Sequence, residues 1–174
     1  MILDIARLLL FPALMAFAAA SDLFTMKISN RVSVMLALGF LALAIASGMD
    51  AYDIMMHVAA GTLVLVIAFG CFAIGQVGGA DAKIATAAAL WFGFAHLMNF
   101  LLYASLFGGA LTLLLLQFRQ WPLPLAFAGQ PWLARLHAKE TRIPYGIALA
   151  AGALMIYPET EWMKAVDLSH FVLR

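Results

Sequence analysis

Charged residues are scarce in this sequence, and their scarcity excludes most classes of soluble protein. Asp, Glu, Lys and Arg make up 11% of the 174 residues, whereas soluble domains carry about 25%. The formal net charge is only +1, which argues against a nucleic-acid partner. All polar loops are short, so no part of the chain has the composition of a separate soluble domain.

Potential metal ligands are also few and scattered. Cys71 is the single cysteine and lies inside an apolar run, so neither an internal disulfide nor a CxxC zinc site can form. The four histidines, His57, His96, His137 and His170, are too far apart along the chain to indicate a metal site. We therefore expect no metal and no cofactor.

Long apolar runs take the place of the missing polar sequence. Hydrophobic residues make up 66% of the chain, and a membrane-spanning helix needs about 20 of them in succession. The sequence predicts an all-α, polytopic membrane protein with about six transmembrane helices. We expect these spans at residues 3–21, 31–48, 54–75, 82–97, 99–118 and 143–158, with a tight turn at 96–99.

Three further features complete the predicted organisation. The first run resembles a signal peptide, but Asp4 offsets Arg7, so we expect a membrane helix there. Residues 119–142 contain several prolines and two tryptophans, which predicts an interfacial loop with a short amphipathic helix near 131–139. Residues 159–174 are expected to form an interfacial tail. All of residues 1–174 would then belong to one membrane-embedded domain.

The distribution of Lys and Arg predicts the orientation in the membrane. Loops 22–30, 76–82 and 119–142, with their helix edges, hold seven of these residues, and the opposite side holds three. Because cytoplasmic loops are enriched in Lys and Arg, the first set should be cytoplasmic and both termini should lie outside. The basic loop 119–142 would face anionic lipid headgroups or acidic residues of a partner.

Two aspartates, Asp22 and Asp81, lie at the predicted cytoplasmic edge of apolar spans. Acids near hydrocarbon are costly and usually functional. Two neighbouring carboxylates cannot easily both ionise, so one can take a proton from water while the other protonates a peptide carbonyl. The alternative is structural: Asp81 as a helix N-cap and Asp22 as a solvated loop acid.

Nearby residues each allow a functional and a structural interpretation. Gly78 and Gly79 permit unusual φ angles and close backbone approach, in a peptide-binding loop or in a tight interhelical turn. Lys83 could act on a carboxylate or a substrate carbonyl, or extend to the interface. Asn30 could orient the substrate or cap the second span.

Three motifs resemble the signatures of bacterial type IV prepilin peptidases, in the same order along the chain. "DLFTMKISNR" (22–31) is similar to an Asp followed six residues later by Ile-Pro-Asn. "GGADAKIATAAALWFG" (78–93) is similar to Gly-x-Gly-Asp-x-Lys, and "RIPYGIALAAGAL" (142–154) to a late Ile-Pro-Tyr-Gly stretch. Pro144 and Tyr145, which helix-start and interface preferences also explain, belong to the third motif.

The resemblance implies an aspartic endopeptidase of the cytoplasmic (inner) membrane, with Asp22 and Asp81 as catalytic residues. It implies a prepilin substrate with a basic leader and an apolar helix, and other pilus-assembly proteins as partners. Two positions depart from the signatures: Ala80 replaces a glycine, for which we expect a negative φ, and Ser29 replaces the proline.

The short first loop, of about ten residues, has no room for the paired-CxxC insert of long family members, so the chain resembles the short form that serves Flp pili. The resemblance to the short form implies no zinc. The sequence has no glycine-rich loop of the dinucleotide-binding type, so it gives no indication of methyl transfer. Three alternatives remain open: a proton-coupled transporter or channel, a noncatalytic secretion-system subunit, and an aspartic membrane protease with another substrate.

Overall fold

The computed structural model describes residues 1–123 and 129–166, and every regular element in those residues is helical. In chain order the helices are α1 (Ile2–Thr25), α2 (Asn30–Ala46), α3 (Ala51–Ala73), α4 (Gly79–Phe118), α5 (Pro131–His137), α6 (Tyr145–Ile156) and α7 (Glu161–Lys164), with a 3-10 turn over Tyr157–Glu159. The all-α prediction is confirmed. Within the described residues, α4 packs against α2, α3 and α6, and α1 packs against α2 and α6.

The predicted number of spans is not confirmed. Among the described residues, α1, α3 and α4 are long and apolar enough to cross a membrane, and α2 is a shorter apolar helix. The sixth predicted span corresponds to α6, which has 12 residues. Such a helix is about 18 Å long, whereas the hydrocarbon core of a bilayer is about 30 Å thick.

The fourth and fifth predicted spans form the single 40-residue stretch of α4, so the turn expected at 96–99 is wrong. The chain breaks three residues earlier, at Gly93, which has φ 54° and ψ −170°. A Cβ atom at Gly93 would lie 2.9 Å from Cε1 of His57. Both the backbone conformation and the close approach of α3 therefore require glycine at this position.

Side chains bind the backbone carbonyls next to this break. Nδ1 of His57 lies 2.6 Å from the carbonyl oxygen of Leu90, and Nε1 of Trp162 donates to the carbonyl oxygen of Trp91 at 2.8 Å. Since a carbonyl only accepts, the proton of His57 in this contact belongs to Nδ1. A kinked helix inside a membrane is tolerated where such groups bind the freed backbone.

The buried core is rich in aromatic rings, which gather around the same break. Phe11 of α1 stacks on Tyr157 with ring centroids 4.6 Å apart and lies 5.0 Å from Trp91 of α4. Trp91 in turn lies 5.3 Å from Trp162, near the end of the described chain. These rings join the first helix, the broken helix and the C-terminal segment into one packed unit.

The predictions for the loop 119–142 and the tail 159–174 can be compared with the structure only in part. A short helix, α5, covers Pro131–His137 inside the predicted loop 119–142, while 124–128 lie outside the described residues. The predicted tail 159–174 is described only to residue 166. The interfacial location of both segments remains a prediction.

We expect Gly93→Ala to destabilise the fold, because alanine is strained at positive φ and its methyl group would press on His57. The backbone strain alone is worth about 1–3 kcal/mol, measurable as a lower unfolding midpoint in a detergent titration. Gly70→Ala is the control, since Gly70 is helical and a Cβ there meets open space. Equal stability of Gly93→Ala and the wild type would contradict this account of the break.

Candidate active site

Three distant parts of the chain meet at a cavity of about 770 Å³. The last turn of α1 forms one wall, the segment from Gly75 to Asp81 forms the second, and residues 142–145 before and at the start of α6 form the third. Asp22 and Asp81 both line this cavity. The structure therefore brings together two acids that lie 59 positions apart in the sequence.

Asp22 is a buried acid in the last turn of α1, and only 7% of its surface is exposed. The helix continues to Thr25, so the interpretation of Asp22 as a solvated loop acid is wrong. Its Oδ2 accepts a hydrogen bond of 2.8 Å from the backbone N–H of Gly146 in α6. A buried carboxylate needs such a donor, because it has lost most of its hydration.

Asp81 is the third residue of α4 and is half-buried. The N-cap of this helix is Gly78, so the N-cap interpretation of Asp81 is wrong. The charge of Asp81 is repelled by Asp22 and attracted by Arg142. The two carboxylates therefore interact electrostatically across one cavity.

The glycines before Asp81 provide space and not an unusual backbone. Gly78 has an ordinary φ of −69°, but a Cβ there would lie 2.6 Å from Oδ2 of Asp81. A Cβ at Gly79 would lie 3.2 Å from the ring of Phe72. Ala80 has no positive φ, as expected. Close approach of Asp81 to the backbone is thus the observed role of Gly78.

Lys83 and Asn30 pair with each other on the outside of the bundle. Nζ of Lys83 donates to Oδ1 of Asn30 at 2.9 Å, and both side chains are exposed. Neither residue lines the cavity. Asn30 is the first residue of α2, and the N-cap is Ser29, so the capping interpretation of Asn30 is wrong. The pair connects α2 to α4 beside the site.

Pro144 and Tyr145 do line the cavity. Pro144 is buried and occupies the N-cap position of α6, immediately before the first turn. The hydroxyl of Tyr145 donates to the carbonyl oxygen of Ala104 at 3.4 Å, and its ring fills the space that a Cβ at Gly108 would need. Tyr145 thus fastens the start of α6 to α4.

Three residues that contribute to the site of Asp22 and Asp81 were not predicted from the sequence. Arg142 and Gly146 lie in the quoted stretch 142–154, but nothing in their residue types indicates contact with the aspartates. Met26 lines the cavity in the left-handed conformation, with φ 55°, which is uncommon for a residue other than glycine. Its N–H donates to the carbonyl oxygen of Asp22 at 2.8 Å and closes the end of α1.

The loop before α6 is held in place by a buried cation. Arg119, 8% exposed, donates from Nε to the carbonyl oxygen of Leu136 at 2.8 Å and from Nη2 to that of Thr141 at 2.9 Å. Thr141 directly precedes Arg142 of the cavity wall. Arg119 therefore positions the third wall without lining the cavity itself.

The arrangement favours chemistry that uses two carboxylates. Within residues 1–123 and 129–166, no group of three or more His, Cys, Asp or Glu residues is placed to hold a metal ion. Two neighbouring acids in a partly buried cavity are suited to proton transfer to and from water and a carbonyl oxygen.

Comparison of the sequence with models of protein families identifies a matching family. A model of the type IV leader peptidase family matches residues 9–113, which include both aspartates and make up more than half of the chain. No curated protein matches. No solved structure matches.

We expect Arg119→Leu to loosen the loop before α6, because the carbonyl oxygens of Leu136 and Thr141 lose their donors. Amide hydrogen exchange across residues 131–142 should become at least several-fold faster. The exposed Arg31 provides the control variant, Arg31→Leu. Unchanged exchange in Arg119→Leu would show that the loop is held by other contacts.

Proposed function

The chain belongs to the type IV leader peptidase family, and we propose that it is an aspartic endopeptidase that removes the leader of Flp-type prepilins at the cytoplasmic face of a bacterial inner membrane. The observation that carries this proposal is the shared cavity of Asp22 and Asp81, whose charges act on each other. Each acid comes from a different helix, so the pair exists only in the folded chain.

The two acids divide the work of peptide hydrolysis. As water attacks the scissile carbonyl carbon, the ionised carboxylate takes one proton from it, and the protonated carboxyl gives its proton to the carbonyl oxygen. The resulting gem-diol then collapses: the C–N bond breaks, the proton taken from water passes to the leaving nitrogen, and a hydroxyl proton returns to the second carboxylate. Both acids regain their starting states.

The connection between α1 and α2 supports the Flp-type substrate. α1 ends at Thr25 and α2 begins at Asn30, so only residues 26–29 join them. A zinc-binding insert has no place in so short a connection. The short form that the sequence resembles serves Flp pili, which makes an Flp-type prepilin, with its basic leader and apolar helix, the substrate to test first.

The positions of the acids argue against the transporter or channel alternative. A proton pathway through a bilayer places acids near the middle of spanning helices. Asp22 lies in the last turn of α1 and Asp81 in the first turn of α4. Acids at helix ends are suited to a reaction at the membrane surface, where the bond between leader and apolar helix would lie.

Replacement of either aspartate should abolish cleavage. In cells that co-express an Flp-type prepilin, Asp22→Asn and Asp81→Asn should each slow leader removal at least 10²-fold, roughly the contribution of one general acid or base. The amide keeps the size of the side chain and removes the proton transfer. The measurement is the mass shift of the pilin, at matched levels of membrane-inserted enzyme.

Asp53→Asn is the matched control, since Asp53 is exposed and lies outside the cavity of Asp22 and Asp81. Near-normal cleavage by either active-site variant would refute the two-carboxylate mechanism. If the wild type itself left the prepilin intact, the substrate assignment would fail, and a noncatalytic role or another protease substrate would be tested next.

Gly78→Ala should impair catalysis without unfolding the protein. The new methyl group fits the backbone, since φ is −69°, but it would displace Oδ2 of Asp81, which lies 2.6 Å from the Cβ position. A misplaced catalytic group can cost about 10²-fold in rate, while the unfolding midpoint should stay near that of the wild type. Gly109→Ala is the control and should keep its rate, because Gly109 lies in α4 outside the cavity and a Cβ there meets open space. Equal rates for Gly78→Ala and the wild type would contradict this role of Gly78.

A further inference from the structure

We propose that the backbone N–H of Gly146 is a positioning group that keeps Asp22 the ionised member of the pair, so that Asp22 takes the proton from water and Asp81 supplies the proton to the carbonyl oxygen. The assignment of these two steps rests on the proposed function. The ionisation of Asp22 itself rests only on the contacts in the folded chain.

The N–H of Gly146 has no acceptor within its own helix and donates to the carboxylate of Asp22. Gly146 is the second residue of α6, and the first four N–H groups of a helix have no partner within the helix. This N–H donates to Oδ2 of Asp22 over 2.8 Å, and the contact is buried. A hydrogen bond and a helix N-terminus both favour the charged form of the acid.

Glycine is required for this contact. A Cβ at position 146 would lie 2.7 Å from Oδ2 of Asp22 and 2.8 Å from Cδ1 of Ile28. The missing side chain thus leaves the space that the carboxylate occupies, and any other residue would push Asp22 away from the N–H. With Oδ2 held by Gly146, Oδ1 is the oxygen that takes the proton from water.

Several charged and titratable groups surround Asp22, and their effects can be ranked. Asp81 repels it from α4, while Arg142 attracts Asp81, and Tyr145 lines the same cavity. Arg135 of α5 donates to the carbonyl oxygen of Phe24 at the end of α1. Arg142 and Arg135 are exposed, so water and salt screen their charges. Burial of Asp22 removes most of the hydration that its charged form would need. The buried N–H bond is screened much less than the two arginines, so it is the contact that offsets this cost, and on it we base the assignment of Asp22 as the ionised member.

The first test measures the ionisation of Asp22 without any substrate. Infrared titration of protein labelled with ¹³C at the Asp carboxyl groups is carried out in an Asp81→Asn background, and the spectrum of Asp22→Asn/Asp81→Asn is subtracted. Adding Gly146→Ala should move the midpoint of the Asp22 carboxylate band about one to two pH units upward, the effect of losing one hydrogen bond to a charged group.

Two further variants separate this effect from packing damage. Gly39→Ala also introduces a clash with α1, since its Cβ would lie 2.8 Å from Cδ2 of Leu10, but it lies outside the cavity and should leave the midpoint unchanged. Ile28→Val combined with Gly146→Ala removes the clash with Cδ1 of Ile28 and leaves only the clash with Asp22. If Gly146→Ala alone does not fold, this double variant is titrated in its place. An unchanged midpoint in the folded Gly146 variant overturns the proposal.

Cleavage provides the second readout. In the Gly146→Ala enzyme, the acidic limb of the pH–kcat profile should move to higher pH, in the same direction as the infrared midpoint, and Ile28→Val should not restore it. An infrared shift in a protein whose wild type cleaves no prepilin supports the positioning role and refutes the proposed function. If the wild type cleaves prepilin but Gly146→Ala causes no infrared shift, the proposed function is supported and the positioning role of Gly146 is refuted.

Discussion

A buried hydrogen bond between Gly146 and Asp22 joins α6 to α1, and the shape of the site depends on it. Burying a carboxylate is unfavourable unless donors replace its hydration, and the free N–H groups at the start of α6 supply one. For this, α6 must begin beside the end of α1. Pro144 occupies the N-cap of α6, and Arg119 holds the preceding loop through Leu136 and Thr141.

The opposite end of the bundle is held by a separate set of contacts. Arg7 of α1 donates to Oγ of Ser47 at 2.9 Å and to the carbonyl oxygen of Ala165 at 3.0 Å, and its own carbonyl accepts from the hydroxyl of Tyr157 at 2.6 Å. These bonds tie the start of α1 to the end of α2 and to the C-terminal segment. With both of its ends fixed, α1 presents Asp22 at one position relative to α4 and α6, which the proposed action of two carboxylates on one peptide bond requires.

The sequence predicted the helices better than their breaks. Apolar runs locate α1, α2 and α3 well, because a chain in hydrocarbon has to form its hydrogen bonds within the helix. The run from 82 to 118 contains no proline and few polar residues, so the turn was expected at the most polar point, 96–99. The break occurs at Gly93 instead, because partners far along the sequence, His57 and Trp162, bind the carbonyls there.

In the site, too, contacts between distant parts of the sequence could not be predicted. Asp22 and Asp81 could be singled out because both lie at the predicted cytoplasmic edge of apolar runs and within motifs that resemble the prepilin peptidase signatures. The donor to Asp22 was not identifiable, since every residue other than proline has a backbone N–H and only the packing of α6 on α1 selects the one at Gly146. Lys83 carries a conspicuous charge close to Asp81 in sequence, yet it faces Asn30 on the outside of the bundle.

Both departures from the prepilin peptidase signatures preserve the backbone of the site. Ser29 stands where the signature has proline, and its φ of −66° is the angle that a proline would impose. Its hydroxyl also accepts from the N–H of Arg31 at 3.3 Å, so serine at this position caps α2. Ala80 lies in the first turn of α4 without a positive φ, where a methyl group is tolerated. The strict requirement for glycine lies two residues earlier, at Gly78, where a side chain would occupy the space of the Asp81 carboxylate.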